Sequence, residues 1–314
     1  MKKGTQQGFN NGGGRNLLAR LNPLSKHQRM KLLGLGWIAL STCMSAAELS
    51  GDFKAPLGLQ LYSLRESFKT NVVGTLDKIK ALGFTEIEGG GDYGLGLETF
   101  NALLRERGLK MASVGAGYES MKKDVGAAVA RARAFGVKFV MCSWIPHPES
   151  GFTETEARRA AADFNVWGAA FKDAGITFAY HPHGFEFRPL TNGTGLTPFD
   201  ILVQETKPEL VSFEMDVFWV TLPGQDPTKL LAKYPNRWVM MHLKDLRRGA
   251  PTGIHTGHAP ASDDVPLGTG QVDWPAVLKQ AAAMGVKHYF IEDESNAPLE
   301  SLPISVKYLR EVKF

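Results

Sequence analysis

Histidines and carboxylates recur near the ends of four successive apolar runs in the second half of the chain. The four groups are His181-Pro182-His183, Glu214-Met215-Asp216, His242-Leu243-Lys244-Asp245 and Glu292-Asp293-Glu294. Acids and imidazoles crowded together in an interior cost free energy unless they pair or coordinate an ion. Mixed oxygen and nitrogen ligands suit Mn²⁺, Mg²⁺, Co²⁺ or Zn²⁺, and two cysteines are too few for a thiolate site. If these run ends converge, the sequence predicts one divalent metal, whose identity the residues leave open.

Convergence requires a fold that gathers the ends of its strands, and the pattern from Leu57 onward predicts one. Short apolar runs alternate there with amphipathic stretches of helical period. The eight runs are LGLQLYSL (57–64), FTEIEGG (84–90), LKMASVGAG (109–117), KFVMCSWI (138–145), ITFAYHPHG (176–184), LVSFEMDVFWV (210–220), RWVMMHLKDL (237–246) and KHYFIEDES (287–295).

Five of the intervening stretches predict helices that stop on glycine directly before a new strand. They are residues 72–83, 97–108, 124–136, 154–175 and 274–285. This rhythm is typical of parallel strands, and eight units predict an α/β fold, a single (β/α)₈ TIM barrel over residues 48–314. An open nucleotide-binding sheet is disfavoured because the glycine-rich stretch at 89–96 lacks the G-x-G-x-x-G spacing. In such a barrel the C-terminal ends of the strands carry the chemistry.

Each candidate residue has an ordinary structural explanation when it is taken alone. A strand-end histidine is often simply hydrogen-bonded, and Asp216 could cap the segment that follows it. Lys244 could form a surface ion pair with the aspartate after it, Glu88 could cap a loop, and Trp144 and Trp219 could be core residues. The metal interpretation depends on the joint occurrence of ligand types at matching places on four strands.

Residues 1–47 predict an export signal before the barrel. Seven basic residues lead into the apolar run LLGLGWIAL (32–40), and small residues follow, which is the layout of a secretory signal too short to span a bilayer. A start at Met30 would give a compact signal, and cleavage fits after Ala46 or Ala47. A lipid anchor at Cys43 is a minority alternative, and a basic tail before a buried helix is another. We expect an exported, periplasmic protein that meets the membrane transiently through this signal.

The charge of the chain resides largely in this segment. The whole chain is formally +4, and residues 1–47 carry seven basic residues and no acid, so residues 48–314 carry −3. A mildly acidic domain disfavours a nucleic-acid surface, and we expect no nucleic-acid partner.

The second half of the chain resembles a known family. The stretches AYHPHGFEF, EMDVFWV, VMMHLKD, PLGTGQVDW and FIEDES occur in the order found in the sugar phosphate isomerase/epimerase family of xylose isomerase-like barrels. The resemblance covers nearly all of residues 57–314. Its most specific marker is G-x-G-x-[IV]-D-[WF] after a His-x-Lys-Asp strand.

The resemblance implies that Asp216, His242 and Glu292 are metal ligands. Many family members add a glutamate from the fifth strand, where this chain has His181, and some relatives carry a His-Asn-His phrase there. We therefore take His181 as the fourth ligand and His183 as a substrate contact. Because a metal-bound imidazole is not free to act as a base, this difference disfavours a symmetric two-base epimerisation.

The reaction we predict is isomerisation or epimerisation of a sugar or keto-sugar through removal of the proton α to a carbonyl. A divalent metal would polarise the carbonyl and stabilise the enediolate. Glu292 is the candidate base as well as a ligand, Lys244 is the candidate donor to the developing oxyanion, and Glu88 is a second acid or base.

A carbohydrate substrate also needs surfaces that orient it. We predict that His183, Trp219 and Trp144 contact the sugar, since aromatic faces pack on its C–H surfaces. The long Gly/Pro-rich loop 247–270, with His255 and His258, is expected to close over the site.

Three other functions are compatible with parts of the pattern. A lyase or hydrolase of 3-keto-glycosides fits an exported protein, since glycosides arrive from outside. An endonuclease of the abasic-site type shares the barrel but needs more metal ligands and a basic face. A non-catalytic periplasmic sugar-binding barrel is the third. A homodimer also stays open.

Overall fold

The computed structural model describes residues 51–149 and 151–314. The predicted signal at residues 1–47, including Met30 and Cys43, lies outside the described residues. In the part that is described, no helix is long and apolar enough to cross a membrane.

Eight parallel strands close into one barrel, as the sequence predicts. Around the barrel the order is β1-β10-β7-β6-β5-β4-β3-β2. Its strands are β1 (Leu57–Gln60), β2 (Glu86–Gly89), β3 (Lys110–Gly115), β4 (Phe139–Cys142), β5 (Thr177–Tyr180), β6 (Val211–Asp216), β7 (Trp238–Leu243) and β10 (His288–Ile291); β8 (Asp245–Leu246) and β9 (Asp264–Val265) form a separate antiparallel ribbon.

Helices surround the barrel and fill the connections between strands. They are α1 (Arg65–Thr70), α2 (Val72–Ala81), α3 (Leu97–Arg107), α4 (Tyr118–Lys123), α5 (Val125–Phe135), α6 (Glu154–Asp173), α7 (Pro198–Glu205), α8 (Val217–Thr221), α9 (Pro227–Lys233), α10 (Trp274–Ala283) and α11 (Pro298–Glu311). All five helices predicted from terminal glycines are present. Gly108 and Gly136 end α3 and α5 in left-handed conformation, with φ of 62° and 70°.

The main core lies between the barrel wall and the helices, and a smaller apolar cluster fills the barrel interior. The interior cluster consists of Ala112, Met141, Ala179, Met240 and Phe290. Because side chains alternate along a strand, residues two positions further on point to the same interior at the C-terminal end. The cluster therefore forms a packed layer beneath the polar strand ends.

Two expected elements differ from the prediction. The run at 57–64 is a strand only to Gln60, because the Gln60 side chain accepts a hydrogen bond from the Tyr62 amide and turns the chain into a 3-10 helix. The loop at 247–270 is partly ordered by secondary structure, since Asp264–Val265 pairs with Asp245–Leu246. The first turn and this ribbon both lie at the C-terminal end of the barrel.

Candidate functional site

The four predicted metal ligands meet at the C-terminal end of β5, β6, β7 and β10. Asp216 lies beside His242 in the strand register, with 3.8 Å between Asp216 Oδ2 and His242 Nδ1. His181 Nε2 lies 3.7 Å from the same aspartate oxygen, and Glu292 Oε2 lies 3.2 Å from His242 Nδ1. All four side chains are buried. The described residues thus bring together a two-nitrogen, two-carboxylate donor set.

Two of these donor atoms lack any hydrogen-bond partner. His181 Nε2 and Asp216 Oδ2 are buried and unpaired. Buried polar atoms almost always have a hydrogen-bond partner in proteins. Two such atoms without a partner, only 3.7 Å from each other, therefore require an explanation. Coordination of one cation by both atoms would supply it, and imidazole with carboxylate suits Zn²⁺, Mn²⁺ or Co²⁺. The residues present therefore fit a divalent metal.

Two further carboxylates contact the two histidines, each at the ring nitrogen that does not face Asp216. Glu214 Oε2 lies 3.1 Å from His181 Nδ1, and Glu88 Oε1 lies 2.7 Å from His242 Nε2. A carboxylate on the far nitrogen is the usual way to fix the tautomer and orientation of a metal-binding histidine. Gln60 donates to Glu88 in turn at 2.7 Å.

Local irregularities in the sheet aim these two carboxylates. The register of β2 against β3 shifts between Ile87 and Glu88, and that of β6 against β7 shifts between Phe213 and Glu214. Bulges of this kind are over-represented next to functional sites because they re-aim one side chain. Both shifts fall immediately before the residue that contacts a histidine.

The two overlapping ligand clusters share His242. One contains His181, Glu214 and His242, and the other contains Asp216, His242 and Glu292. The hydrogen-bond distances separate their roles, since Glu214 contacts His181 through Nδ1 while Asp216 faces its Nε2.

Burial and neighbouring charge set the protonation of the histidines. Burial lowers the pKa of His181 to about 4 and that of His183 to about 3, so both rings are neutral at pH 7. Burial also lowers the pKa of His242, but the charges of Glu214 and Glu292 outweigh it and raise that pKa well above its usual value. A cation that binds His242 therefore has to displace a proton.

Lys244 is a buried ammonium at the edge of the cluster. Its Nζ lies 2.6 Å from Glu294 Oε1, 3.6 Å from Glu292 Oε2 and 3.8 Å from Asp264 Oδ2. Burial lowers the pKa of Lys244, but these carboxylates more than reverse the effect and raise it. Lys244 is therefore a donor and not a base at neutral pH. The alternative of a surface ion pair with Asp245 is wrong, because both residues are buried.

A cavity of about 540 Å³ opens above the ligands. Its lining includes His181, His242 and Glu292 together with the predicted substrate contacts His183, Trp219 and Trp144. The His183 and Trp219 rings stack with centroids 5.3 Å apart, and His183 Nδ1 and Trp219 Nε1 are buried without partners. The cavity thus combines aromatic faces with polar atoms that still need a partner.

Three of the predicted residues lie outside this lining. Asp216 is fully buried behind it, and Lys244 lines an adjoining cavity of about 160 Å³ together with Trp219 and Glu294. Glu88 is fully buried beneath His242. Sequence reasoning places Glu214 among the strand-end carboxylates but assigns it no role, and it does not name Gln60, the last residue of β1, as a site residue.

The contacts of Asp245 explain the marker phrase G-x-G-x-[IV]-D-[WF], which residues 268–274 form in this chain. Its Oδ2 accepts hydrogen bonds from the amides of Gly268 and Gly270 at 2.9 and 3.1 Å and from Trp274 Nε1 at 2.9 Å. A Cβ at Gly270 would lie 2.2 Å from Asp245 Oδ1, so only glycine fits there. Asp245, the first residue of β8, thus fixes the loop that follows the ribbon.

The fold and this site define the class of protein. Residues 76–312 match the family model of the xylose isomerase-like TIM barrel, and the chain belongs to that family.

Particular relatives are more distant. Inosose dehydratase from Lacticaseibacillus casei is 24% identical over 256 residues, which cover 73% of this chain and 83% of the relative. A sugar phosphate isomerase/epimerase structure from Parabacteroides distasonis superposes with a TM-score of 0.70 at 24% identity and covers 85% of this chain and 98% of its own. The 3-keto-D-glucoside 4-epimerase structure from E. coli gives a TM-score of 0.59 at 16% identity, with 82% and 99% covered.

Proposed function

We propose that the protein is a metal-dependent enzyme that removes the proton α to a carbonyl of a sugar or other polyhydroxylated ring ketone. The observation that carries this proposal is the pair of unpartnered buried atoms, His181 Nε2 and Asp216 Oδ2, within a cluster that also holds His242 and Glu292 at the floor of an aromatic-lined cavity.

Four residues would hold the metal in this proposal. They are Asp216, His242, Glu292 and, through Nε2, His181. Glu214 and Glu88 would hold the two histidine rings from their far nitrogens. A bound divalent ion supplies Lewis-acid polarisation of a substrate carbonyl.

The protein's own groups carry the proton chemistry. Glu292 borders the cavity and is the group that accepts the α-proton. It is ionised and so free to accept a proton, because the charges of Lys244 and His242 outweigh burial and lower its pKa. Lys244 lies 3.6 Å from Glu292 and donates to the oxygen on which negative charge develops. His183 and Trp219 orient the ring through their stacked faces and unpartnered nitrogens.

The position of Glu88 bears on the outcome of the reaction. An epimerisation with two bases needs acid–base groups on opposite faces of the substrate. Among the described residues, the carboxylates that line the large cavity are Glu292 and Glu294, both after β10, while Glu88 is covered by Gln60 and His242. This one-sided arrangement favours proton abstraction followed by elimination as a second candidate.

The names of the relatives agree with either outcome. Two of them are named inosose dehydratase and 3-keto-D-glucoside 4-epimerase. Dehydration and epimerisation of a hydroxyketone are both reactions that loss of a proton next to the carbonyl can start. Elimination then expels a β-oxygen substituent, which is water from a hydroxyl or the aglycone alcohol from a 3-keto-glycoside.

One NMR experiment separates these outcomes. We expect the metal-loaded protein in D₂O to introduce deuterium at the α-carbon of a 3-keto-glucoside. A new epimer or isomer identifies an isomerase, and release of the aglycone identifies a lyase or hydrolase. A protein that binds the sugar equally well after metal removal and exchanges no proton is a sugar-binding barrel, and this result would contradict the proposed chemistry.

We also propose export to the periplasm through the signal in residues 1–47. Amino-terminal sequencing of the protein purified from its host should begin at Ala47 or Glu48. Recovery of the intact segment from the cytoplasm would overturn this part of the proposal.

A further inference from the structure

A second cavity of about 280 Å³ lies beyond Trp144. The loops after β4 and β5 and the loop between β8 and β9 enclose it, and its lining includes His147, Arg188, His255 and His258. We refer to it as the distal cavity. Trp144 also lines the 540 Å³ cavity, so a single side chain borders both spaces.

Trp144 is 36% exposed, and the rest of its surface packs against neighbouring residues. The Trp144 ring contacts Phe185 at 5.0 Å and His258 at 5.9 Å between centroids. Gly257 has a φ of 71°, and a Cβ there would lie 3.0 Å from Trp144 Cζ3 and 3.1 Å from Phe185 Cδ1. Because only a glycine allows this approach, the long loop between β8 and β9 packs closely against Trp144.

Basic side chains outnumber acidic ones in the lining of the distal cavity. Its titratable lining residues are one arginine, three histidines and Glu149. Within residues 51–149 and 151–314 the Arg188 guanidinium has no ion pair or hydrogen bond, and its side chain is exposed to the cavity and solvent. Its charge acts on His255, whose pKa is lowered by burial first and by Arg188 second. A guanidinium without a partner, bordered by imidazoles, is suited to a carboxylate or phosphate.

We propose that the distal cavity binds an anionic group on the second unit of a two-unit substrate, whose first unit occupies the 540 Å³ cavity. This inference rests on the proposed function for the placement of the first unit. Trp144 provides the surface between the two units, and Arg188 pairs with the carboxylate or phosphate. The volume of about 280 Å³ lies just below the ~300–1,000 Å³ typical of ligand pockets and suits one monosaccharide-sized unit.

Calorimetric titration of the full-length, metal-loaded protein tests the inference. The probes are cellobiose, cellobiouronic acid with its carboxylate on the distal ring, and inorganic phosphate. We expect the wild type to bind the acidic disaccharide at least tenfold more tightly than cellobiose, and added salt to weaken that preference. Arg188→Gln should abolish the preference and leave cellobiose affinity and metal content unchanged.

Arg133→Gln is the matched control, because it removes one exposed arginine from α5 on the outside of the barrel. It should retain the preference in full. Phosphate that binds more tightly than the uronate, with the same loss in Arg188→Gln, would support the inference and assign the group as phosphate.

Equal affinity for the neutral and acidic disaccharides, or an unchanged preference in Arg188→Gln, would overturn the inference. The two proposals fail separately. A protein that exchanges no α-proton yet shows the Arg188-dependent preference lacks the proposed chemistry but has the distal site. A protein that exchanges the proton without that preference has the proposed chemistry but lacks the distal site.

Discussion

Buried carboxylates have different partners at the two ends of the barrel interior, and two residues of β2 show this difference. Glu86 and Glu88 are two residues apart on β2 and share a face. Near the N-terminal end, Glu86 pairs with His288 Nδ1 at 2.8 Å through one oxygen and with Lys110 Nζ at 3.3 Å through the other. Near the C-terminal end, Glu88 leaves Oε2 unpartnered.

The N-terminal end of the barrel interior is arranged for stability, and the C-terminal end is arranged for function. At the N-terminal end both oxygens of Glu86 are paired with basic side chains of the chain itself, as expected for a residue that stabilises the fold. At the C-terminal end Glu88, Glu214, His181 and Asp216 all keep a buried atom unpaired, an arrangement that costs free energy. We conclude that this end is built to bind something that the chain itself does not supply.

The largest expected effect concerns Lys244 at the C-terminal end. Lys244→Gln should slow deuterium exchange into a 3-keto-glucoside by about 100- to 1,000-fold, because it removes a preorganised donor to the developing oxyanion. Metal content and the far-ultraviolet circular dichroism spectrum should match those of the wild type. An unchanged exchange rate in the folded variant would remove Lys244 from the mechanism.

The second prediction is that Glu214→Gln has opposite effects on the stability of the metal-free protein and on its metal affinity. Burial, and then the charge of Glu88, raise the pKa of Glu214 well above its usual value. A raised carboxyl pKa means that ionisation costs stability once the pH exceeds the ordinary value near 4.5. Glu214→Gln should therefore raise the Tm of the metal-free protein at pH 7, and the gain should disappear below about pH 4.5.

The same variant should bind metal about 10- to 100-fold more weakly, since Gln holds the His181 ring less firmly than a carboxylate does. Competition with a chelator measures this loss. If Glu214→Gln lost stability and kept full metal affinity, Glu214 would be an ordinary structural residue. This result would contradict the proposed difference between the two ends of the barrel.

The smallest expected effect is at Glu86, where the sign is reversed. Burial raises the pKa of Glu86, but His288 and Lys110 outweigh it and lower the pKa. A lowered carboxyl pKa contributes stability that is present above the ordinary value near 4.5 and is lost as the pH falls through the folded-state pKa. Glu86→Gln should destabilise the protein by about 1–2 kcal/mol at pH 7.

Urea unfolding at several pH values checks this prediction. The deficit of Glu86→Gln should shrink below about pH 4.5, while metal affinity stays at the wild-type value. A deficit that grows on acidification would show that Glu86 is not stabilised as an anion.

The sequence predicts the barrel well because its signals are local. Glycine at a helix end and β-branched runs at regular spacing act within a few residues, and Gly108 and Gly136 end their helices in left-handed conformation as predicted. The strand-end pattern also brings His181, Asp216, His242 and Glu292 together, since parallel strands meet at one end.

The sequence does not predict how deeply each strand-end side chain lies within the barrel. Its pattern suggests an acid–base role for Glu88, whereas the place of this residue beneath His242 depends on a register shift at Ile87 that no local pattern encodes. The role of Glu214 escapes the sequence for a similar reason, since it lies two residues before Asp216 on the same strand face. The register of β6 against β7 also shifts immediately before Glu214, between Phe213 and Glu214.

The most direct test of the central claim is the metal content of the purified protein after loading with Mn, Zn, Co or Mg. The account predicts about one divalent ion per chain in the wild type and in Glu86→Gln, and its loss in both Asp216→Ala and His242→Ala. A folded wild type that takes up none of these metals, or an Asp216→Ala variant that loads equally well, would contradict it.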